Sequence, residues 1–232
     1  MKNLDFITNI TIMHRGFFDN EKIVENTIKS FKKANTLKHP YELDVRLTKD
    51  EKLVVFHDDT LKRLGGSNKK ISDMTYDELS KIKLLGVDTI PLFEDVLKLD
   101  NKYGIMIEIK NENNNRALEN KLLELLSSYD KPYSIISYNK KSLRYIRSKN
   151  KDIPLGYIIR RDNKKFFVKM SNRIFLKTFK PDYLSISKTE INNKYVKKYK
   201  KPILIWTIKT REDYNKYKNK GTNLVLENIN VI

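Results

Sequence analysis

Eight short runs of β-favouring residues recur along the chain, each separated from the next by a segment with helical spacing. The runs are 10–13, 41–44, 105–109, 134–137, 155–159, 183–187, 203–207 and 223–226. Strands that alternate with crossover helices form parallel sheets, and eight such units in 232 residues match the size of a closed (β/α)8 TIM barrel. An open doubly wound sheet would carry a glycine-rich phosphate turn after its first strand, and none follows residues 10–13. We therefore expect one barrel domain over residues 1–232.

The alternation is interrupted after the second run. Residues 53–56 form another β-favouring run, and the short segment 49–52 before it cannot carry a parallel crossover, so we expect a hairpin. Counting outward from a loop at 49–52 pairs Thr48 with Leu53, Arg46 with Val55, and Asp44 with His57. The stretch that follows is too long for an ordinary strand–helix loop. We expect residues 58–90 to form a small insertion after the second strand, on the catalytic face.

Acidic residues lie at the predicted carboxyl ends of two strands. Glu42 and Asp44 are two apart on the second strand and so share a face, and Glu108 stands near the end of the next strand. Buried acids are costly unless a cation offsets their charge. Each acid alone could pair with a lysine or arginine, but three convergent carboxylates in a chain without cysteine favour an oxygen-ligated ion, Mg2+ or Ca2+.

Two histidines fall on the same predicted face as these acids. His14 ends the first strand and His57 ends the returning arm of the hairpin. Two imidazoles beside a metal site can act as base and acid in a phosphoryl displacement, each contributing roughly 10²–10⁴ in rate. Arg15 offers a planar fork to two phosphate oxygens, and Lys110 offers a point charge. The position of His14 on the first strand favours it as the base and His57 as the acid, although the sequence leaves this order open.

These residues stand in five short motifs, His14-Arg15-Gly16, Glu25-Asn26-Thr27, Glu42-Leu43-Asp44-Val45, Val55-Phe56-His57-Asp58 and Glu108-Ile109-Lys110. In order and approximate spacing they resemble the motifs of glycerophosphodiester phosphodiesterases, and the resemblance covers almost the whole chain. It implies a (β/α)8 barrel that hydrolyses a small-molecule glycerophosphodiester to glycerol 3-phosphate and an alcohol. It also implies roles: a divalent ion on Glu42, Asp44 and Glu108, acid–base catalysis by His14 and His57, and phosphate binding by Arg15 and Lys110.

The resemblance thins after Lys110. Trp206-Thr207 looks like a later family signature, but Ile208 follows it where the family usually has asparagine. Leu226-Glu227-Asn228 stands where the closing strand of the family usually ends in Thr-Asp. These departures concern the leaving-group pocket. We expect Trp206 to wall that pocket; the alternative is that it only packs at the top of the barrel.

The formal net charge of +18 is the remaining feature that bears on partners. Such a charge attracts polyanions, but lysine far outnumbers arginine, as AT-biased coding alone would give, so we expect no nucleic-acid partner. The first alternative is a lysophospholipase D or sphingomyelinase D-like enzyme at an anionic membrane surface, and the second is a non-catalytic polyanion-binding barrel. The sequence shows no run of about 18 apolar residues and no signal peptide, so we expect a cytoplasmic protein.

Overall fold

The computed structural model describes residues 4–111, 115–159 and 166–231. The strands are β1 (Ile12–Met13), β2 (Tyr41–Leu47), β3 (Leu53–Val55), β4 (Ile105–Ile109), β5 (Tyr133–Ser137), β6 (Leu155–Ile159), β7 (Tyr183–Ser187), β8 (Ile203–Ile208) and β9 (Asn223–Leu226). The helices are α1 (Asp5–Thr8), α2 (Ile28–Thr36), α3 (Lys62–Gly65), α4 (Tyr76–Ser80), α5 (Phe93–Leu97), α6 (Ala117–Leu126), α7 (Lys140–Lys149), α8 (Phe166–Thr178), α9 (Lys194–Lys197) and α10 (Arg211–Tyr217). Two 3₁₀ turns lie at Ile71–Asp73 and Lys188–Glu190.

Eight parallel strands of the described chain close into a barrel. Hydrogen-bonded neighbours follow the order β1-β9-β8-β7-β6-β5-β4-β2, and β1 also pairs with β2, which closes the ring. The predicted (β/α)8 barrel is therefore confirmed. Each of the eight β-favouring runs supplies one barrel strand, although β1 begins only at Ile12 and β2 continues to Leu47.

The period-two alternation along β2 and β4 decides which side chains enter the barrel. Ile105, Ile107 and Ile109 face outward and pack under the surrounding helices in the larger hydrophobic cluster. Met106 belongs to a separate inner cluster, which the Phe6 side chain of α1 also joins. Because Glu42 is paired with Met106, and Asp44 with Glu108, in the parallel register, all three acids lie on the inner face.

The β2–β3 hairpin forms as expected, but the predicted register is wrong by one residue. The observed partners are Leu47 with Leu53, Arg46 with Val54, and Val45 with Val55. The Glu51 amide donates to the Thr48 carbonyl and Glu51 adopts a φ of 57°, so the turn has three residues with a left-handed third position. Glycine or asparagine usually marks such a position, and Glu51 gives no such signal.

The segment after β3 builds its own hydrophobic cluster beside the barrel. Its buried side chains include Leu61, Leu64, Ile71, Met74, Leu79, Leu84 and Ile90, packed with Val54 and Phe56 of the hairpin arm. Helix α4 begins at a capping box, in which Thr75 and Glu78 exchange side-chain and backbone hydrogen bonds. Helix α3 in this segment carries Arg63, whose guanidinium reaches the strand ends as described below.

Candidate active site

An open pocket lies at the carboxyl ends of the barrel strands. Its lining comprises His14, Arg15, Glu42, His57, Met106, Glu108, Lys110, Ile136, Ile158, Ser185, Trp206, Thr207 and Val225. The barrel thus brings together the site residues predicted from the sequence, with one difference. Asp44 does not line the pocket but is buried behind it, 1% exposed, with one oxygen 3.0 Å from the Lys110 ammonium.

Three carboxylates converge at the base of the pocket: Glu42 and Glu108 line it, and Asp44 lies behind them. One oxygen from each of Glu42, Asp44 and Glu108 lies within 4.8 Å of the others. The Oε1 atom of Glu42 is buried and has no hydrogen-bond partner among the described residues. Burial, with the charges of Asp44 and Glu108, raises the pKa of Glu42 well above its ordinary value. Three hard oxygen donors within reach of one ion, one of them unsatisfied, fit a divalent cation such as Mg2+ or Ca2+.

Two cations lie among these acids. The Lys110 Nζ atom is 2.6 Å from Glu108 Oε1, and Arg15 Nε is 3.3 Å from Asp44 Oδ2. Burial alone would lower the pKa of Lys110, but Asp44 and Glu108 outweigh it and raise that pKa, so the ammonium stays charged. Burial would likewise raise the pKa of Asp44, but Lys110 and Arg15 outweigh it and lower the pKa. Arg15 and Lys110 both line the pocket, so a bound anion could contact both charged groups.

His14 is fixed by a carboxylate on the neighbouring strand end. Its backbone amide donates to Leu226 across the β1–β9 seam, and its Nδ1 atom lies 2.8 Å from Glu227 Oε2. Burial and the charge of Arg15 lower the pKa of His14, against the opposing effect of Glu227. A neutral imidazole that donates from Nδ1 to Glu227 leaves the Nε2 lone pair free to accept a proton. The Nε2 atom faces the acids, 3.9 Å from Glu42 Oε2.

His57 lines the same pocket despite the one-residue change in the hairpin register. Strand β3 ends at Val55, and one more ladder hydrogen bond follows, from the Phe56 amide to the Asp44 carbonyl; His57 lies beyond it, where side-chain alternation no longer dictates its direction. Instead the Arg46 guanidinium donates two hydrogen bonds to the His57 carbonyl, at 3.0 and 2.8 Å, and fixes the backbone there. The His57 Nδ1 atom lies 2.7 Å from Asp58 Oδ1. Burial lowers the pKa of His57, partly offset by Asp44.

The sequence placed Glu25 and Asn26 in one of the five motifs but gave them no role, and in the structure they support the site residues. Glu25 is 3% exposed and accepts two hydrogen bonds of 2.7 Å from Arg63 and one of 2.6 Å from Arg15. Asn26 donates to Asp44 at 2.8 Å. The available signal was their place directly before Thr27, which caps α2, in the loop that leaves the carboxyl end of β1. Glu25 thus positions Arg15, and Asn26 positions Asp44.

Glu227, which the sequence showed only as a departure from the family pattern, is the partner of His14. It also contacts the Lys209 ammonium, which follows β8. Burial would raise the pKa of Glu227, but hydrogen bonds from His14 and Lys209 outweigh it and lower the pKa to about 2. The carboxylate is therefore ionised at neutral pH and holds His14 by an ionic hydrogen bond.

We expect the Glu25 carboxylate to stabilise the folded chain only above mildly acidic pH. Burial would raise the pKa of Glu25, but Arg63 and Arg15 outweigh it, so the folded pKa lies below the unfolded one. The stabilisation is thus present above the unfolded value of about 4.3 and lost as pH falls through the folded pKa. Glu25→Gln should cost about 3 kcal/mol at neutral pH, because it removes the charge of a buried carboxylate that pairs with both Arg15 and Arg63.

Urea unfolding of this variant and of the wild type, at neutral pH and near pH 3, measures the effect. The difference between the two proteins should shrink at the acidic pH. Glu124→Gln, which changes an exposed acid on α6, serves as the matched control and should be near neutral at both pH values. A Glu25→Gln penalty that is the same at both pH values would contradict the assignment.

Fold and pocket together define a (β/α)8 barrel with three clustered carboxylates and two cations at the carboxyl ends of its strands. The family model for the glycerophosphoryl diester phosphodiesterase family matches residues 14–226. The chain therefore belongs to this family, and the resemblance noted in the sequence is confirmed.

Sequence similarity to individual proteins and one solved structure support this family membership. A glycerophosphodiester phosphodiesterase of Caldanaerobacter subterraneus is 33% identical over 163 residues, 64% of this chain and 66% of that protein. A lysophospholipase D of Rattus norvegicus is 34% identical over 166 residues, 65% of this chain and 52% of that protein. The crystal structure of a glycerophosphodiester phosphodiesterase from Thermotoga maritima superposes with a TM-score of 0.75 at 28% identity, covering 94% of each chain. The chain thus matches 66% and 52% of the length of these two curated relatives.

Proposed function

We propose that this chain is a metal-dependent phosphodiesterase that hydrolyses glycerophosphodiesters to glycerol 3-phosphate and an alcohol. The observation that carries the proposal is the convergence, at one pocket, of two imidazoles held by carboxylates, the cations Arg15 and Lys110, and three clustered acids. In both histidines a carboxylate contacts Nδ1 and leaves Nε2 toward the pocket for proton transfer. A protein that only binds a polyanion does not require this arrangement. Family membership supports the glycerophosphodiester substrate class.

In this proposal Glu42, Asp44 and Glu108 hold a divalent cation, Mg2+ or Ca2+. The ion would supply positive charge to a phosphate oxygen and to the substrate hydroxyls. Arg15 and Lys110 offset the charge on the remaining phosphate oxygens, because both cations already lie at the pocket with their charges held by buried acids. The substrate alcohol group and the choice of ion are open within this scheme.

The two histidines would move the protons. His14 Nε2 accepts a proton from the attacking hydroxyl, which belongs either to water or to the glycerol of the substrate itself. His57 begins the step as the imidazolium, protonated at both ring nitrogens, and donates its Nε2 proton to the leaving alcohol. Hydrogen bonds from each Nδ1 to Glu227 and Asp58 keep both Nε2 atoms available.

Trp206 is proposed as one wall of the leaving-group pocket. Its side chain lines the pocket with Thr207 and also packs against the inner hydrophobic cluster of the barrel. In this proposal Trp206 packs at the barrel top and also contacts the leaving alcohol, so the two alternatives drawn from the sequence are compatible.

A lysophospholipid is the second candidate substrate. The rat relative that is named lysophospholipase D favours this possibility. In the part of the chain that the structure describes, no helix has both the length and the apolar character needed to span a bilayer. A cytoplasmic location and a non-membrane substrate therefore stay predictions.

The test is hydrolysis of a panel made of glycerophosphocholine, glycerophosphoethanolamine, glycerophosphoglycerol and lysophosphatidylcholine, each with and without chelator. The proposal expects turnover of one or more of the three glycerophosphodiesters, abolished by chelator and restored by Mg2+ or Ca2+. Turnover of lysophosphatidylcholine alone would favour the second candidate. No turnover of any member under any metal condition would overturn the proposal and favour a polyanion-binding barrel.

We expect Glu227 to act through His14, so Glu227→Gln should lower kcat by about 10- to 100-fold with little change in KM. The glutamine keeps the shape but removes the charge that fixes the His14 tautomer. The pH profile of kcat should shift to lower pH, because the carboxylate that raises the pKa of His14 is gone. Lys209→Met, which leaves the His14 contact in place, is the control and should lose less than Glu227→Gln. If both variants lose the same factor in kcat and the pH profile of Glu227→Gln does not shift, Glu227 has only a structural role.

A further inference from the structure

Helix α8 carries two large apolar side chains on its outer face. Met170 is 42% exposed and Ile174, one turn later, is 53% exposed. The opposite face of the helix is fixed to the barrel, since Asn172 accepts a 2.7 Å hydrogen bond from the buried Tyr157 and Phe175 packs on the same ring. The two exposed side chains therefore belong to a helix that is held against the barrel by its opposite face.

Cations surround this apolar strip. Arg173 and Lys177 lie beside it on α8, both exposed. Lys194 and Lys198 face them across a groove of about 440 Å³, whose remaining lining is Leu176, Tyr195 and Tyr199. The groove contains no acid, and none of the four cations forms an ion pair with a carboxylate within the described ranges.

A further cation lies on the other flank of α8. The Arg144 guanidinium of α7 stacks 5.2 Å from the Phe175 ring centre and is exposed to solvent. Apolar side chains ringed by unpaired cations are the pattern of a surface that lies in the headgroup region of an anionic bilayer. Each Lys or Arg near such a surface contributes about 1 kcal/mol, and the apolar side chains add burial in the acyl boundary.

We propose that the outer face of α8, with the α8–α9 groove, docks on an anionic phospholipid surface. Charge complementarity selects this occupant, and the exposed Met170 and Ile174 distinguish it from a nucleic acid, which would engage the cations without needing apolar contacts. The proposal concerns binding alone and does not rest on the chemistry in the pocket.

The test is co-sedimentation with vesicles of phosphatidylcholine alone and of an equimolar mixture with phosphatidylglycerol. The wild type should bind the mixed vesicles and bind the neutral ones at least about tenfold more weakly. Met170→Ser with Ile174→Ser should weaken binding to mixed vesicles by about tenfold, and Arg173→Gln with Lys177→Gln by a similar factor. Lys216→Gln with Lys218→Gln removes the same charge from exposed positions of α10 and beyond, and should change binding less than about twofold.

Two readouts keep the outcomes distinct. Turnover of glycerophosphocholine without vesicles should stay unchanged in all three double variants, and if the chain proves inactive, an unchanged thermal melting curve replaces that control. Equal binding to both vesicle types, or equal losses in the α8 and α10 variants, would overturn the proposal. So would binding of polyuridylate RNA that needs Arg173 and Lys177 but is indifferent to the serine pair, which would assign the face to nucleic acid.

Discussion

Glu42→Gln is expected to lower kcat/KM for the preferred glycerophosphodiester by about 10³-fold or more. Glu42 is the buried acid with an oxygen that no described group satisfies, and its other oxygen already accepts the Arg15 amide at 3.1 Å. Glutamine keeps the shape of the Glu42 side chain and can still accept the hydrogen bond from the Arg15 amide. It removes one of the three negative charges that would hold the ion. Steady-state kinetics in saturating Mg2+ or Ca2+ measures the loss.

Thermal melting separates this effect from damage to the fold. The wild type should melt at a higher temperature when Mg2+ or Ca2+ is added, because the ion binds only the folded chain. Glu42→Gln should fold but show no such shift, while Glu124→Gln should behave as the wild type in both assays. Full activity of the wild type after exhaustive chelation would contradict the three-carboxylate site.

His14→Asn and His57→Asn should each lower kcat for a glycerophosphodiester by about 10³-fold, within the usual range for a positioned proton-transfer group. The double variant should be little worse than either single one, since groups that act in one proton-transfer cycle are not additive. Both imidazoles contact a carboxylate through Nδ1, so neither variant should disturb the acids beneath.

A change of leaving group distinguishes the two roles. With the p-nitrophenyl ester of glycerol 3-phosphate the departing phenolate needs no proton, so His57→Asn should regain most of its activity and His14→Asn should not. Rescue of His14→Asn alone would exchange the two assignments. If neither loss depends on the leaving group, neither histidine acts as the acid.

The barrel could be predicted because its strands are short, buried and mostly separated by helices, and local sequence periodicity reveals both kinds of element. The predicted hairpin register was wrong by one residue along its whole length. The turn has three residues, and its third, Glu51, adopts a left-handed conformation without glycine or asparagine to signal it. His57 nevertheless lines the pocket, since the Arg46 hydrogen bonds rather than strand alternation direct the chain there. The predicted pairing of His57 with Asp44 also carried strand alternation two residues beyond Val55, where β3 ends.

The convergence of Glu42, Asp44 and Glu108 could be predicted because parallel strands end at one edge. Their supporting partners could not be predicted, because they depend on contacts between distant segments. Glu25 and Arg63 are 38 residues apart, and their contact requires the segment after β3 to fold against the β1–α2 loop. His14 and Glu227 are 213 residues apart and meet only when β9 closes the barrel beside β1.

The most direct test of the central claim is the identity of the products formed from glycerophosphocholine, followed by ³¹P NMR with Mg2+ or Ca2+ present. The account predicts that the diester resonance is replaced by that of glycerol 3-phosphate, with free choline released, and that chelator stops the conversion. Release of phosphocholine and glycerol would show that the other ester bond is cleaved. An unchanged spectrum with either metal would contradict the account, provided that the melting curve shows that the protein is folded.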